Sequence, residues 1–157
     1  MAGRGIRVSD GGRTLKIWYG DDAEIATWVH ARIPHMPTGF ANMKTIGICA
    51  DDGSPRGAVV YHEYRGNDIQ MSCAADSRRW LTHDILRVLF AYPFEQLGVD
   101  RVTACVPASN RHTRRFVEGI GFQVEGIMRQ GFRGDDCVIY GLLRAECKWI
   151  KGENHHG

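Results

Sequence analysis

The sequence predicts an α/β (α+β) domain built on a mixed sheet. Three observations predict it. Strand-like and helix-like runs follow one another in the order β-α-βββ-α-β-α-ββ, which suits a sheet flanked by helices. Residues 102–106 are almost wholly apolar, as in a strand buried on both faces. The strand, helix and strand between 69 and 106 have the order of a right-handed crossover, which places those two strands parallel.

Each element has a local reason. Residues 15–19 form the first strand-like run. Asp21 and Asp22 then offer an N-cap, and 23–32 has helical spacing through Ile25, Trp28 and Val29. Pro34 ends that helix, and Pro37 with Gly39 keeps the next stretch irregular. Strands are expected at 44–50, 57–64 and 69–74, with turns at 51–55 and 65–68, as an antiparallel meander. The clearest helix is 82–97: Thr82 can cap it, and Ile85, Leu86, Leu89, Phe90 and Phe94 make one apolar face. Pro93 should loosen its last turn, and Gly98 should close it. After the strand 102–106, Pro107 breaks the run. A second amphipathic helix, 110–120, turns Phe116, Val117 and Ile120 inward and stops at Gly121. Residues 122–132 and 137–145 form a final hairpin across 133–136.

Composition bounds the function. With 157 residues, 43% of them hydrophobic, one core suffices, so a single domain is expected over 1–150 with a polar tail at 151–157. A net charge of +2 does not imply nucleic-acid binding by bulk charge. The five cysteines, Cys49, Cys73, Cys105, Cys137 and Cys147, are odd in number and contain no C-x-x-C pair. That disfavours a disulfide framework and a zinc ribbon, and favours free thiols in a reducing cytoplasm. No apolar run reaches the roughly 18 residues of a membrane span, and residues 1–13 lack a signal peptide's apolar stretch, so a soluble, intracellular protein is expected. His30, His35 and His62 have no familiar metal-ligand spacing, and no metal is expected.

One segment carries more than composition. Arg101-Val102-Thr103-Ala104-Cys105-Val106 is followed by Asn110-Arg111-His112-Thr113-Arg114-Arg115-Phe116-Val117-Glu118-Gly119-Ile120-Gly121-Phe122, and then by Glu125-Gly126-Ile127-Met128-Arg129-Gln130-Gly131-Phe132. This pattern resembles the GCN5-related N-acetyltransferases (GNATs), in the branch that acetylates ribosomal-protein N-termini and small amines. The resemblance runs from about residue 57 to residue 147. It implies a mixed central sheet of about seven strands flanked by about four helices.

The resemblance also implies a site. Acetyl-CoA would lie where two adjacent parallel strands splay, here 69–74 and 102–106, with its pantetheine amides pairing to exposed backbone. Met71, Ser72 and Cys73 would sit beside the thioester. The family grips the pyrophosphate with Arg/Gln-x-x-Gly-x-Gly/Ala at a helix start, where backbone N–H groups favour an anion. Here the loop is Arg78-Arg79-Trp80-Leu81-Thr82-His83, with the leading Arg present and Leu81 and His83 at the glycine positions. Arg78, Arg79, Leu81, Thr82, His83, Asn110, Arg114 and Phe116 are the cofactor-binding candidates.

Acetyl transfer needs a neutral amine and a protonated leaving group. Candidates to take the amine proton are Glu63, the first choice, Asp68 and His62. The family's acid is often a Tyr, but Phe116 stands at that position, which leaves Tyr140 as a substitute. Cys73 lacks an obvious His partner for nucleophilic catalysis.

Three function classes follow. The first is an N-acetyltransferase acting on a small-molecule or peptide primary amine by direct attack. The second is a GNAT fold that binds or modifies nucleic acid through Arg78, Arg79, Arg111, Arg114 and Arg115, for which the Mom-type phage proteins that modify adenine in DNA are a precedent. The third is a catalytically silent binding module. The substrate wall at 32–43, with His35, Met36, Pro37, Phe40 and Met43, suits an acceptor of neither strong charge. A homodimer is left open, and no membrane is expected to take part.

Overall fold

A computed structural model describes residues 4–10, 13–33, 39–40, 42–76 and 80–151. Its strands are β1 (Arg4–Asp10), β2 (Arg13–Trp18), β3 (Lys44–Ala50), β4 (Pro55–His62), β5 (Asp68–Ala75), β6 (Arg101–Pro107), β7 (Gln123–Phe132) and β8 (Asp135–Leu143). Its helices are α1 (Asp22–His30), α2 (His83–Ala91) and α3 (Arg111–Ile120). The eight strands form one mixed sheet in the order β1-β2-β3-β4-β5-β6-β8-β7. The chain packs as two compact units, Met1–Glu63 with Met71–Leu89, and Tyr64–Gln70 with Phe90–Gly157.

In the first unit β1, β2, β3 and β4 pair antiparallel in turn. Helix α1 packs on β3 and β4. Its Ile25, Ala26 and Val29 bury with Trp18, Cys49, Ala58 and Val60. Asp21 stands at the N-cap of α1 as expected, but its side chain makes no capping bond. It accepts from Trp18 Nε1 at 2.7 Å, and Asp22 Oδ1 accepts from the Thr45 amide at 2.9 Å and hydroxyl at 2.7 Å. The two carboxylates fasten the start of α1 to β2 and β3, because donors on those strands outcompete the helix's own amides.

In the second unit β6 pairs antiparallel with β8, and β8 with β7. Val102, Ala104, Val106, Val138, Tyr140 and Leu142 are buried along this ladder. The end of α2 shows what Pro93 does. Regular α-helix stops at Ala91, residues Tyr92–Leu97 take a wider π turn, and Gly98 closes it at φ 75°. A proline cannot donate into the preceding turn, so the helix widens there.

Strand β1 was not expected from the sequence. Ile6 and Val8 alternate ahead of Gly11-Gly12, a short hairpin signal that the arginines on either side obscure. Its pairing sets Asp10 opposite Arg13.

Candidate active site

The start of β5 is latched to β6. Asp68 is 2% exposed, and its Oδ1 accepts from Thr103 Oγ1 at 2.7 Å. Arg65 Nη2 donates to Asp68 Oδ2 at 3.0 Å, and Arg101 Nε stands 3.5 Å from Oδ1. Arg101 also grips Glu125 through both of its terminal nitrogens. The Asp100 and Arg101 amides donate to Asn67 O at 2.9 and 3.2 Å. Parallel pairing runs through Asp68–Arg101, Ile69–Val102 and Gln70–Thr103. Beyond Thr103, β6 continues through Ala104 to Pro107, registered to β8 from Tyr140 to Cys137.

A second feature sits at the end of β4. His62 is 9% exposed, and its Nε2 lies 2.8 Å from Ser72 Oγ on β5. Phe40 lies against the imidazole, with ring centroids 5.0 Å apart, and His30 meets the other side of Phe40 edge-on. Glu63 follows immediately, exposed and at φ 55°. A non-glycine residue in the left-handed region stores strain of order 1–3 kcal/mol, and such strain gathers at functional sites. Burial lowers the His62 pKa below the ordinary 6.5, against a smaller upward pull from Glu63.

That shift has a sign. Below 6.5 the unfolded chain takes up a proton that folded His62 resists. The stability held by neutral His62 is therefore complete above about pH 6.5 and is lost as pH falls through its lower folded pKa. Denaturant unfolding at stepped pH should show this decline, and His62→Gln should flatten it.

The helix starts are both capped. Thr82 Oγ1 accepts from the Ile85 amide at 3.2 Å at α2, and Asn110 Oδ1 accepts from the Thr113 amide at 3.1 Å at α3. Leu81 and Thr82 are half-buried and His83 is exposed. Trp80 is buried across Gly57, and its Nε1 has no partner among the described residues. Arg114 donates through Nε to Tyr140 Oη at 3.1 Å and through Nη1 to Ala108 O at 3.3 Å. Arg111 and Arg115 are exposed and Phe116 is half-buried. Arg78, Arg79 and His35 lie outside the described residues.

No family model matches the chain. It is 32% identical over 108 residues to the ribosomal N-acetyltransferase-like protein YdaF of Bacillus subtilis (strain 168). That match takes in 60% of this chain, and the chain spans only 57% of the length of that curated relative. Among solved structures, a GNAT-family acetyltransferase from Bacillus anthracis superposes with a TM-score of 0.66 at 17% identity, over 90% of this chain and 100% of that one. The dodecameric spermidine N-acetyltransferase of Vibrio cholerae does so with a TM-score of 0.66 at 12% identity, over 83% and 94%. The chain has the fold of the GNAT acetyltransferases.

The expected site residues fall into two groups. Glu63, Met71, Ser72, Cys73, Leu81, Thr82 and His83 belong to the first unit, and Asp68, Asn110, Arg114, Phe116 and Tyr140 to the second. Met71, Ser72 and Cys73 are half-buried on the later part of β5. Burial pushes the Cys73 thiol up to about 11, so it is protonated at neutral pH. Asp68 and Tyr140, proposed from sequence for proton transfer, are both buried and bonded within the fold. All five cysteines are unbridged. No helix among the described residues is long and apolar enough to cross a membrane. Sequence reasoning missed the bond between His62 and Ser72. Its only signal was a short turn at 65–68 that brings the flanking strand ends together.

Proposed function

We propose that this chain is a GNAT that transfers an acetyl group from acetyl-CoA to a primary amine, small-molecule or peptide, by direct attack. The observation that carries this is the parallel β5–β6 pairing, from Asp68–Arg101 to Gln70–Thr103, in a sheet with the fold of known acetyltransferases. In this proposal the extended pantetheine amides pair to strand backbone, as an added strand does. When bound, acetyl-CoA supplies the activated acetyl thioester. Met71, Ser72 and Cys73 are the residues we place beside it. The capped start of α2, from Leu81 to His83 with Arg78 and Arg79 before it, is our assignment for the diphosphate. Asn110, Arg114 and Phe116 are the second unit's cofactor candidates in this proposal.

At neutral pH a primary amine carries a proton that must leave before attack. Glu63, exposed at the end of β4, is the carboxylate we place on that proton's way to solvent. Asp68 and Tyr140 support the strands in this scheme rather than touch the amine. The names of YdaF and of the Vibrio cholerae enzyme support a peptide or polyamine amine as acceptor. Free thiols support a cytoplasmic setting. Exposed Val124, Ile127 and Met128 on the edge strand β7 support a homodimer. Nucleic-acid binding has weaker support, since Arg114 is committed to Tyr140 and Ala108.

The test is thermal. Acetyl-CoA at about 100 times its Kd should stabilise the chain by about 2.7 kcal/mol, because it binds only the native state. Arg78→Ala should weaken acetyl-CoA binding about tenfold, as loss of one charged hydrogen bond does. Absence of any shift at millimolar acetyl-CoA, joined to salt-dependent retention on DNA, would overturn the assignment.

A further inference from the structure

We propose that Ser72 and His62 form a proton relay that takes the amine's second proton during acetyl transfer, with Ser72 Oγ touching the substrate and His62 Nε2 behind it. This rests on the acetyl-transfer assignment above and adds the residues that move the proton.

The geometry has three parts. Oγ and Nε2 are 2.8 Å apart, within the reach that one proton crosses between a hydroxyl and an imidazole. Ser72 is half-buried while His62 behind it is buried, so a substrate reaches Ser72 before His62. The ring is held on one side by Phe40, which fixes its plane. Around it, the charged or titratable groups are Glu63 next in the chain, His30 beyond Phe40, and Cys73 beside Ser72. Glu63 is the one that acts on its charge, and burial outweighs it, so His62 is a neutral base at pH 7.

The step balances. The amine nitrogen's lone pair forms the bond to the acetyl carbon as the carbon–sulfur bond breaks, its electron pair leaving on sulfur. The nitrogen's proton passes to Ser72 Oγ while the hydroxyl's own proton passes to His62 Nε2. The imidazolium then returns a proton through Ser72 to the departing thiolate, and both residues regain their starting forms.

Two measurements test it. In the free protein, nitrogen-15 NMR of the histidine rings should find His62 protonated at Nδ1, with Nε2 accepting from Ser72. Protonation at Nε2 would overturn the relay, because that nitrogen would then be donating. With acetyl-CoA and either spermidine or a short peptide with a free N-terminal amine, Ser72→Ala and His62→Gln should each lower kcat/KM about 100-fold at pH 7, a typical general-base contribution. The loss should narrow above about pH 9, where solvent base replaces the relay. Acetyl-CoA should raise the Tm of both variants as it does the parent's, which shows that they fold and bind. Rates within twofold of the parent, or a loss that does not vary with pH, would reject the relay while leaving acetyl transfer standing. An acetyl group found on Ser72 by mass spectrometry would also reject it, making Ser72 a nucleophile instead. Failure of acetyl-CoA to shift the parent's own Tm defeats the acetyl-transfer assignment itself, and the relay with it.

Discussion

Gly57→Ala should destabilise the chain by about 3 kcal/mol, at the upper end of the usual cost of overpacking. A Cβ on Gly57 would lie 2.4 Å from Trp80 Cε2, 2.5 Å from Cδ2 and 2.8 Å from Cζ2. These are ring atoms of a side chain only 3% exposed, so the neighbour cannot swing aside as the end of a lysine would. Gly57 lies in β4, where Ala58, Val59 and Val60 are buried in succession, so both faces of the strand are already packed. Urea unfolding of the single variant measures the loss. Trp80→Leu should cost stability alone, yet the double variant should lose less than the sum, because the smaller side chain vacates the space. Additive losses would show that the methyl is accommodated in some other way.

Asp68→Ala should cost a similar amount, about 3 kcal/mol, as removal of one partner from a buried charged network does. Thr103 would lose its acceptor at 2.7 Å, and Arg101, only partly exposed, would keep Glu125 and the Thr103 hydroxyl. The change falls where β5 and β6 begin to pair, so the three-pair ladder should loosen. Hydrogen exchange at the Ile69, Gln70, Val102 and Thr103 amides should rise together. Asp68→Asn should recover part of the loss, since an amide oxygen still accepts from Thr103. A catalytic role alone would leave stability and exchange unchanged and lower only kcat, so the same pair of variants separates the two roles.

Most elements were legible because they rest on interactions between near neighbours. Among the described residues, alternation and helical spacing located seven of the eight strands and all three α-helices, with ends displaced by at most six residues. Thr82 and Asn110 were legible as caps, since a cap depends on the residue three places on. The loosening at Pro93 and the stop at Gly98 were legible for the same reason. Asp21 misled because the Trp18 indole, three residues before it, took the carboxylate expected to cap α1.

The site divides along the same line. Residue order and type were enough to indicate an acetyltransferase-like fold and to name Ser72 and His62 separately, because backbone preference and side-chain period act over a few residues. What the tertiary structure alone decided is which groups meet. The bond from Thr103 to Asp68 joins residues 35 apart in sequence, and the one between His62 and Ser72 depends on strand register rather than composition. A shift of register by one residue would turn each of these side chains to the opposite face of the sheet. Such pairings come from the packing of whole strands, which fixes register only when the buried faces of the sheet close together.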